Sequence, residues 1–229
     1  MKISFLSPAV CMICGTGASP QEMPVCDLCL YKLQSLLTER CRNCGKPPRA
    51  CVCPRPAGTD FLFFYGSPLS KRLISLVKTG IDRREADFLA ALLIDSAGIR
   101  AANYDAVTFV PRRKRVARRY GYDQAKELAS ALAKRLSLPL VPTLVRRGKN
   151  AQKLMSASER RKYSLKSYYA RDDVPPEFIN KRFLLVDDVA TTGATLEACA
   201  KILRDSGIAA KVSAAVLANT ELKNTEVLR

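Results

Sequence analysis

Apolar runs and helical-period stretches alternate along most of this chain. FLFFYG at 61–66 is a short apolar run with the pattern of a strand. Ser67 and Pro68 follow as a cap and first helical position, and Leu69, Leu73, Leu76 and Val77 give that helix an apolar face ending near Gly80. A second helix is predicted over about 85–97, with Leu89, Leu92 and Leu93 inward and Gly98 as its stop. DAVTFV at 105–110 reads as a strand that leads into PRRKRVARRYGYDQ and a helix carrying Leu128, Leu132 and Leu136. Short strands are predicted at 138–141 and 143–145. Then come the apolar run Phe183, Leu184, Leu185 and Val186, a loop, a helix with Leu196, Cys199, Ile202 and Leu203 at helical spacing, and a closing strand at 212–217. Strands alternating with helices predict an α/β fold on a parallel sheet. Ligands of such sheets lie at the carboxyl ends of the strands, where Pro111 and Asp187 both fall.

The run FLLVDDVATTGAT at 183–195 carries the most specific chemistry. Asp187 and Asp188 end the strand. Val189, Ala190, Thr191, Thr192, Gly193, Ala194 and Thr195 form the loop into the helix. A helix N-terminus offers unpaired N–H groups and partial positive charge to an anion. Gly193 permits close backbone approach, and the three threonines add hydroxyl donors. Two carboxylates beside that cradle suit a ribose diol or a hydrated Mg²⁺. Together they describe a ribose 5-phosphate held at two points. The run closely resembles the phosphoribosyl pyrophosphate (PRPP) motif of type I phosphoribosyltransferases, which makes Asp187 and Asp188 the expected catalytic acids and 187, 188 and 190–195 the expected ligand contacts, with Mg²⁺ accompanying PRPP.

The cysteines add a second chemistry. Eight of nine precede residue 54, as Cys11-x-x-Cys14, Cys26-x-x-Cys29, Cys41-x-x-Cys44 and Cys51-x-Cys53. Close pairs of this kind read as thiolate knuckles, two per tetrahedral Zn²⁺, so about two zinc ions per chain are expected. Sequential pairing is the simplest arrangement, and an interleaved one fits the same spacing. Residues 1–60 therefore read as a small zinc-binding head, 54–60 as its linker, and 61–229 as the α/β domain.

Charge is concentrated rather than spread. The net charge is +17, and 18 of the 38 Lys and Arg but only 3 of the 21 Asp and Glu lie between Pro111 and Arg171, a basic field suited to a polyanion. Five of the eight tyrosines, at 120, 122, 163, 168 and 169, are interleaved with it, as in single-strand binders where bases stack between phosphate contacts. The expected nucleic-acid contacts are Arg113, Lys114, Arg115, Arg118, Arg119, Tyr120, Arg146, Arg147, Lys149, Arg160, Arg161 and Lys162. There is no histidine, which removes the commonest general base and any His-ligated metal. No apolar run reaches the length of a membrane span. The start, MKISFLSPAV, has too short an apolar stretch for a signal peptide, so a cytoplasmic location is expected.

In order, the chain shows four cysteine knuckles, Lys78-x-Gly80, a Val-Pro strand end with basic residues, Gly121-Tyr122-Asp123-Gln124, Gln152 with Ser156 and Arg160 after it, and the acid-Thr-Thr-Gly run. This series resembles the ComF family over nearly the whole chain. The resemblance implies a type I phosphoribosyltransferase-like sheet with a cysteine-rich zinc head, and a role in uptake of single-stranded DNA in natural transformation beside a DNA helicase. It also implies that the loop after Val110, with Arg112 and Arg113, faces pyrophosphate. Two positions depart from the family pattern. Tyr120 and Asp123 replace Arg and Asn of its Arg-Gly-Phe-Asn-Gln, and Tyr163 stands where its later Arg-x-x-Asn ends. Two functions follow as expectations: a single-stranded-DNA-binding protein that retains a PRPP pocket, or an active Mg²⁺-dependent phosphoribosyltransferase whose acceptor the sequence does not indicate.

Overall fold

The computed structural model describes residues 10–17, 23–41, 44–53, 55–113, 117–118, 121–147 and 167–220. In chain order its main elements are α1 (Asp27–Thr38), β1 (Asp60–Phe64), α2 (Pro68–Thr79), α3 (Arg83–Ala97), β2 (Ala106–Phe109), α4 (Gln124–Leu136), β3 (Leu144–Arg146), β4 (Tyr168–Ala170), β5 (Lys181–Ala190), α5 (Ala194–Asp205) and β6 (Ala209–Asn219).

Local signals explain most boundaries. Ser67 caps α2 by accepting the Ser70 N–H, with Pro68 in the first turn. Helix α3 begins two residues before the expected 85, because Asp82 and Glu85 form a reciprocal capping box whose two hydrogen bonds are each 2.8 Å. Helix α1 was not predicted. Its buried Cys29, Leu33 and Leu36 lie on one face, but the metal-type cysteine pattern masks that period. Strand β5 continues past the expected 183–186, through both acids to Ala190, because β6 follows it in register as far as Ala190 against Asn219. The 138–141 segment makes only a single parallel bridge, Leu140 to Val107. Pro139 and Pro142 flank it and cannot donate to a longer ladder. The second expected short strand is β3, which pairs antiparallel with β4 as a separate hairpin.

The main sheet is parallel throughout, in the order β1-β6-β5-β2. After β2 the chain moves outward to the Leu140 bridge, then returns to β5 on the other side of β2. After β5 it moves the opposite way, to β6. The order thus reverses between β2 and β5, and folds of this kind place the ligand crevice at the carboxyl ends of the strands beside such a switch point.

Both faces of the sheet are covered. Helices α1 to α4 enclose Leu62, Phe63, Leu184 and Val186 on one face, and α5 with the β3–β4 hairpin encloses Phe61, Phe183, Leu185 and Val216 on the other. Burial on both faces explains why these strands read as continuous apolar runs. Each such side chain contributes about 1.5–3 kcal/mol. The cysteine-rich segment takes part in both cores. Cys11 and Cys29 belong to the first, Cys41 and Cys51 to the second, so the segment wraps the free edge of β1. The Arg72 Nε donates to the Ile13 carbonyl, and Arg55 donates to the carbonyls of Cys51 and Thr59 while its guanidinium lies 5.0 Å from the Phe61 ring centre.

At the opposite end of the sheet, Arg182 grips Asp105 with paired hydrogen bonds of 3.0 and 2.8 Å and joins the starts of β5 and β2. These bonds hold the Asp105 carboxyl down at about 2, below its ordinary value of 3.8. A lowered carboxyl stabilises the fold above the ordinary value and loses that contribution as pH falls through the lowered one. Asp105→Asn is therefore expected to be less stable than the parent at pH 7, with the difference shrinking between about pH 4 and 2. A urea-unfolding difference constant across that window would remove the bridge from the account.

Candidate functional site

The carboxyl ends of β2 and β5 carry the acid pair, the hydroxyl loop and the arginine loop singled out by the sequence. Strand β5 ends in a bend at Thr191 and Thr192, and Gly193 then caps α5 at φ 69°, ψ 0°. A residue with a Cβ pays about 1–2 kcal/mol in that left-handed region, so glycine is what allows the turn to be this tight. Ala190 and Ala194 are buried, Thr191 is exposed, and Thr192 and Thr195 are half-buried, so the three hydroxyls line a small cradle over the first turn of α5. The Ala194 N–H reaches only the Thr192 Oγ1, at 3.4 Å. Small side chains, a left-handed glycine and open amides at a twelve-residue helix suit a phosphate.

The two acids do different things. Successive strand residues point to opposite faces. Asp188 turns toward α2 and α4, where its Oδ2 meets Gln124 Nε2 at 3.5 Å and Lys78 Nζ at 3.7 Å, while Oδ1 accepts the Val189 N–H at 2.8 Å. Asp187 lies on the α5 and hairpin side, where burial raises the pKa of the Cys199 thiol and the Tyr168 hydroxyl and the nearby Asp187 adds to it, and its Oδ1 accepts the Asp188 N–H at 2.9 Å. Burial, and then the charge of Asp188 beside it, push the Asp187 carboxyl well above the usual carboxylate range. The pair thus sets two carboxyls side by side at the cradle, Asp188 steadied by three donors, and together they can accept from vicinal hydroxyls.

The loop after β2 closes the crevice from the other side. Arg112 and Arg113 are half-buried. The Arg112 N–H donates to Asp123 Oδ2 at 2.9 Å, and its guanidinium reaches the Tyr122 carbonyl at 3.4 Å. Asp123 also caps α4 through Oδ1, which accepts the Lys126 N–H. The departure from the family's Asn now has a physical reading: an amide has one acceptor oxygen, whereas the carboxylate serves the helix cap and the arginine loop at once. Lys78, Gln124 and Asp123 were quoted in the sequence only as pattern positions, with no partner assigned.

The eight cysteines form two groups, Cys11, Cys14, Cys26 and Cys29, and Cys41, Cys44, Cys51 and Cys53, with the four Sγ atoms of each within 4.8 Å of one another. This is the sequential grouping. Sulfur separations of 3.9 Å for Cys14–Cys26, 3.7 Å for Cys41–Cys53 and 3.6 Å for Cys44–Cys51 are far beyond a disulfide. They match the edge of about 3.8 Å expected for a tetrahedron with Zn–S bonds of about 2.3 Å. Each group can hold one metal ion. Without one, the four thiols cannot share a charge state. Hydrogen bonds from Thr16 bring Cys14 down to about 6 and backbone bonds from Val52 and Lys46 bring Cys44 to about 6, while desolvation pushes Cys29 and Cys53 up to about 12.

Of the expected nucleic-acid contacts, Arg118 and Arg147 are exposed, and Arg147 lies 5.5 Å from the ring centre of the exposed Tyr169. Arg146 instead stacks 5.0 Å over buried Tyr168 and is half-buried itself. Tyr122 is half-buried against the first core, and the Cys199 side chain is fully buried in the second. Lys114, Arg115, Arg119, Tyr120, Lys149, Arg160, Arg161, Lys162 and Tyr163 lie outside the described residues. Among the described residues no helix is long and apolar enough to cross a membrane.

Residues 123–227 match the phosphoribosyl transferase domain model. Competence protein F of Haemophilus influenzae is 31% identical over 200 residues, spanning 85% of this chain and 84% of that protein. Among solved structures, orotate phosphoribosyltransferase from Aeropyrum pernix is 23% identical with a TM-score of 0.35, covering 65% of this chain and 63% of that one. Adenine phosphoribosyltransferase from Thermoanaerobacter pseudethanolicus is 15% identical with a TM-score of 0.40, covering 83% and 99%. With its parallel phosphoribosyltransferase-type sheet and paired cysteine clusters, the chain belongs to the family of competence protein F, the ComF family.

Proposed function

We propose that this protein handles single-stranded DNA during natural transformation, in the cytoplasm beside a DNA helicase, and that its crevice binds PRPP or a related ribose 5-phosphate with Mg²⁺. The observation that carries the pocket is the meeting, at one strand end, of a phosphate-type cradle at Gly193 and an acid pair at Asp187 and Asp188. In this reading Thr191 to Thr195 hold the 5-phosphate, with Ala190 at the base of the cradle. Asp187 and Asp188 would hold the diol and could help hold a hydrated Mg²⁺ that would offset diphosphate charge, and Arg112 would face that diphosphate. Zinc occupies the two cysteine tetrads, for which the sulfur spacing is the support.

The DNA reading rests on the relative's name, on the basic field at 111–171 and on the exposed Arg147–Tyr169 pair, which offers a cation and a ring face together. The nominated basic residues track phosphates without reading sequence.

Calorimetric titration of PRPP with Mg²⁺ into the metal-loaded protein tests the pocket. The Asp187→Asn/Asp188→Asn variant should bind at least about 100-fold more weakly, because charge-assisted hydrogen bonds to the diol contribute about 1.5–3 kcal/mol each. Equal binding by the variant would remove the acids from the site. A single-stranded oligonucleotide should bind with a steep salt dependence and little sequence preference, and affinity unchanged between low and high salt would end the DNA reading. Release of pyrophosphate only when a base or amine is added would establish the transferase reading instead.

A further inference from the structure

Lys78 lies in the last turn of α2, ahead of the matched domain at 123–227 and far in sequence from the β5–α5 cradle. Its Nζ is 3.7 Å from Asp188 Oδ2, with the Lys78 side chain 48% exposed and that of Asp188 only 10%. Gln124 Nε2 approaches the same oxygen at 3.5 Å. Its orientation follows from that contact, since a flipped amide would set an oxygen against the carboxylate. Both donors project from helices seated in the core. Leu73, Ile74 and Val77 seat α2 in the core, and the Arg72 Nε is bonded to the Ile13 carbonyl beside the first cysteine group. Gln124 opens α4, whose cap Asp123 also carries the Arg112 loop.

We propose that Lys78 is a positioning residue for the ligand site. With Gln124 it fixes the Asp188 carboxylate in the rotamer that receives a ribose diol. The inference rests on the phosphoribosyl reading and deepens it. The Val189 N–H anchors only one oxygen of the Asp188 carboxylate, which leaves the other to set which staggered rotamer the side chain keeps. Lys78 anchors the other from a helix seated in the core. With its side chain 48% exposed, the ammonium keeps two further donors for water. Its effect on binding is confined to ligands that use Asp188.

That confinement gives the test. Ribose 5-phosphate occupies cradle and diol site, whereas inorganic phosphate occupies the cradle alone. Lys78→Met is expected to weaken ribose 5-phosphate about 10- to 100-fold while leaving inorganic phosphate, followed by phosphorus NMR, within about twofold of the parent. Lys78→Arg should restore most of the loss, because a cation again faces Asp188. Thermal unfolding and metal content of Lys78→Met should equal the parent's, which separates positioning from misfolding; if they do not, Lys78→Gln is read in its place. Equal weakening of both ligands by the substitution would mean a diffuse charge or structural effect and overturns the proposal. So does unchanged ribose 5-phosphate affinity. A parent protein that binds inorganic phosphate but not ribose 5-phosphate or PRPP brings down the phosphoribosyl reading itself, and this inference with it. Parent binding that survives Lys78→Met brings down the inference alone.

Discussion

Stripping the metal from the cysteine tetrads is expected to lower the thermal unfolding midpoint of the whole chain by about 10–20 °C. The two groups do not sit on an appendage. One packs into the core under α2 and α3, the other into the core under α5, with the edge strand β1 between them. Four thiolates can converge at one site when a divalent cation offsets their charge. Without it Cys29 and Cys53, both pushed up to about 12, stay protonated, and the knuckles lose the bonds that close them. A loss of about 5 kcal/mol corresponds to a shift of this size in a chain of 150–250 residues, at about 2–4 °C per kcal/mol. Calorimetry with and without chelator measures it, and metal analysis should give about two ions per chain in the parent and about one in Cys29→Ser or in Cys53→Ser. A chelated protein with an unchanged principal transition and a separate small one would mean that 1–60 is an independent head, as its composition suggests, and that the shared cores contribute little.

Gly193→Val should abolish measurable binding of a phosphorylated ribose while leaving the sheet intact. At φ 69° a β-branched residue is a severe outlier, so the bend at 191–193 must open. Opening it rotates the first amides of α5 away from the cradle and carries the Thr192 hydroxyl from its place beside Ala194. Losing two charge-assisted hydrogen bonds corresponds to a drop in affinity of roughly 100- to 1000-fold or more. The strain itself costs stability of about 1–2 kcal/mol, a modest change in midpoint. Titration of PRPP and Mg²⁺ beside a unfolding scan separates the two effects. Near-parental affinity in this variant would place the phosphate elsewhere than on the α5 N-terminus.

Much of this was legible locally. The apolar run ending in two acids, the hydroxyl loop with its glycine, and the helix behind it are all within thirteen positions, and each piece has a short-range cause. So do the helix caps at Ser67 and Asp82 and the knuckle spacing that brings cysteines together in pairs. Sequence reasoning fell short where small residues carry a strand. The alanines of β6 at 209, 210 and 218, outside the expected 212–217, have little strand preference, yet they extend the strand in the sheet. It also read β5 as ending at its acids, because apolarity stops there while the β6 ladder runs on to Ala190.

The chain's sequence by itself determined the type of most elements of the α/β domain, the chemistry of the cradle and the cysteine pairs, since all of these arise from residues within a few turns of one another. Tertiary structure alone decided which groups meet across the fold. Asp188 meets Gln124, 64 positions away, and Lys78 from a still earlier helix, because the strand order reverses between β2 and β5. Asp187 and Asp188, adjacent in sequence, part to opposite faces because a strand alternates. The sulfur tetrads close sequentially and clasp β1 because that strand lies at the edge, where both cores can be reached from one segment. Contacts of this kind depend on strand order and layer, which no short window of sequence encodes.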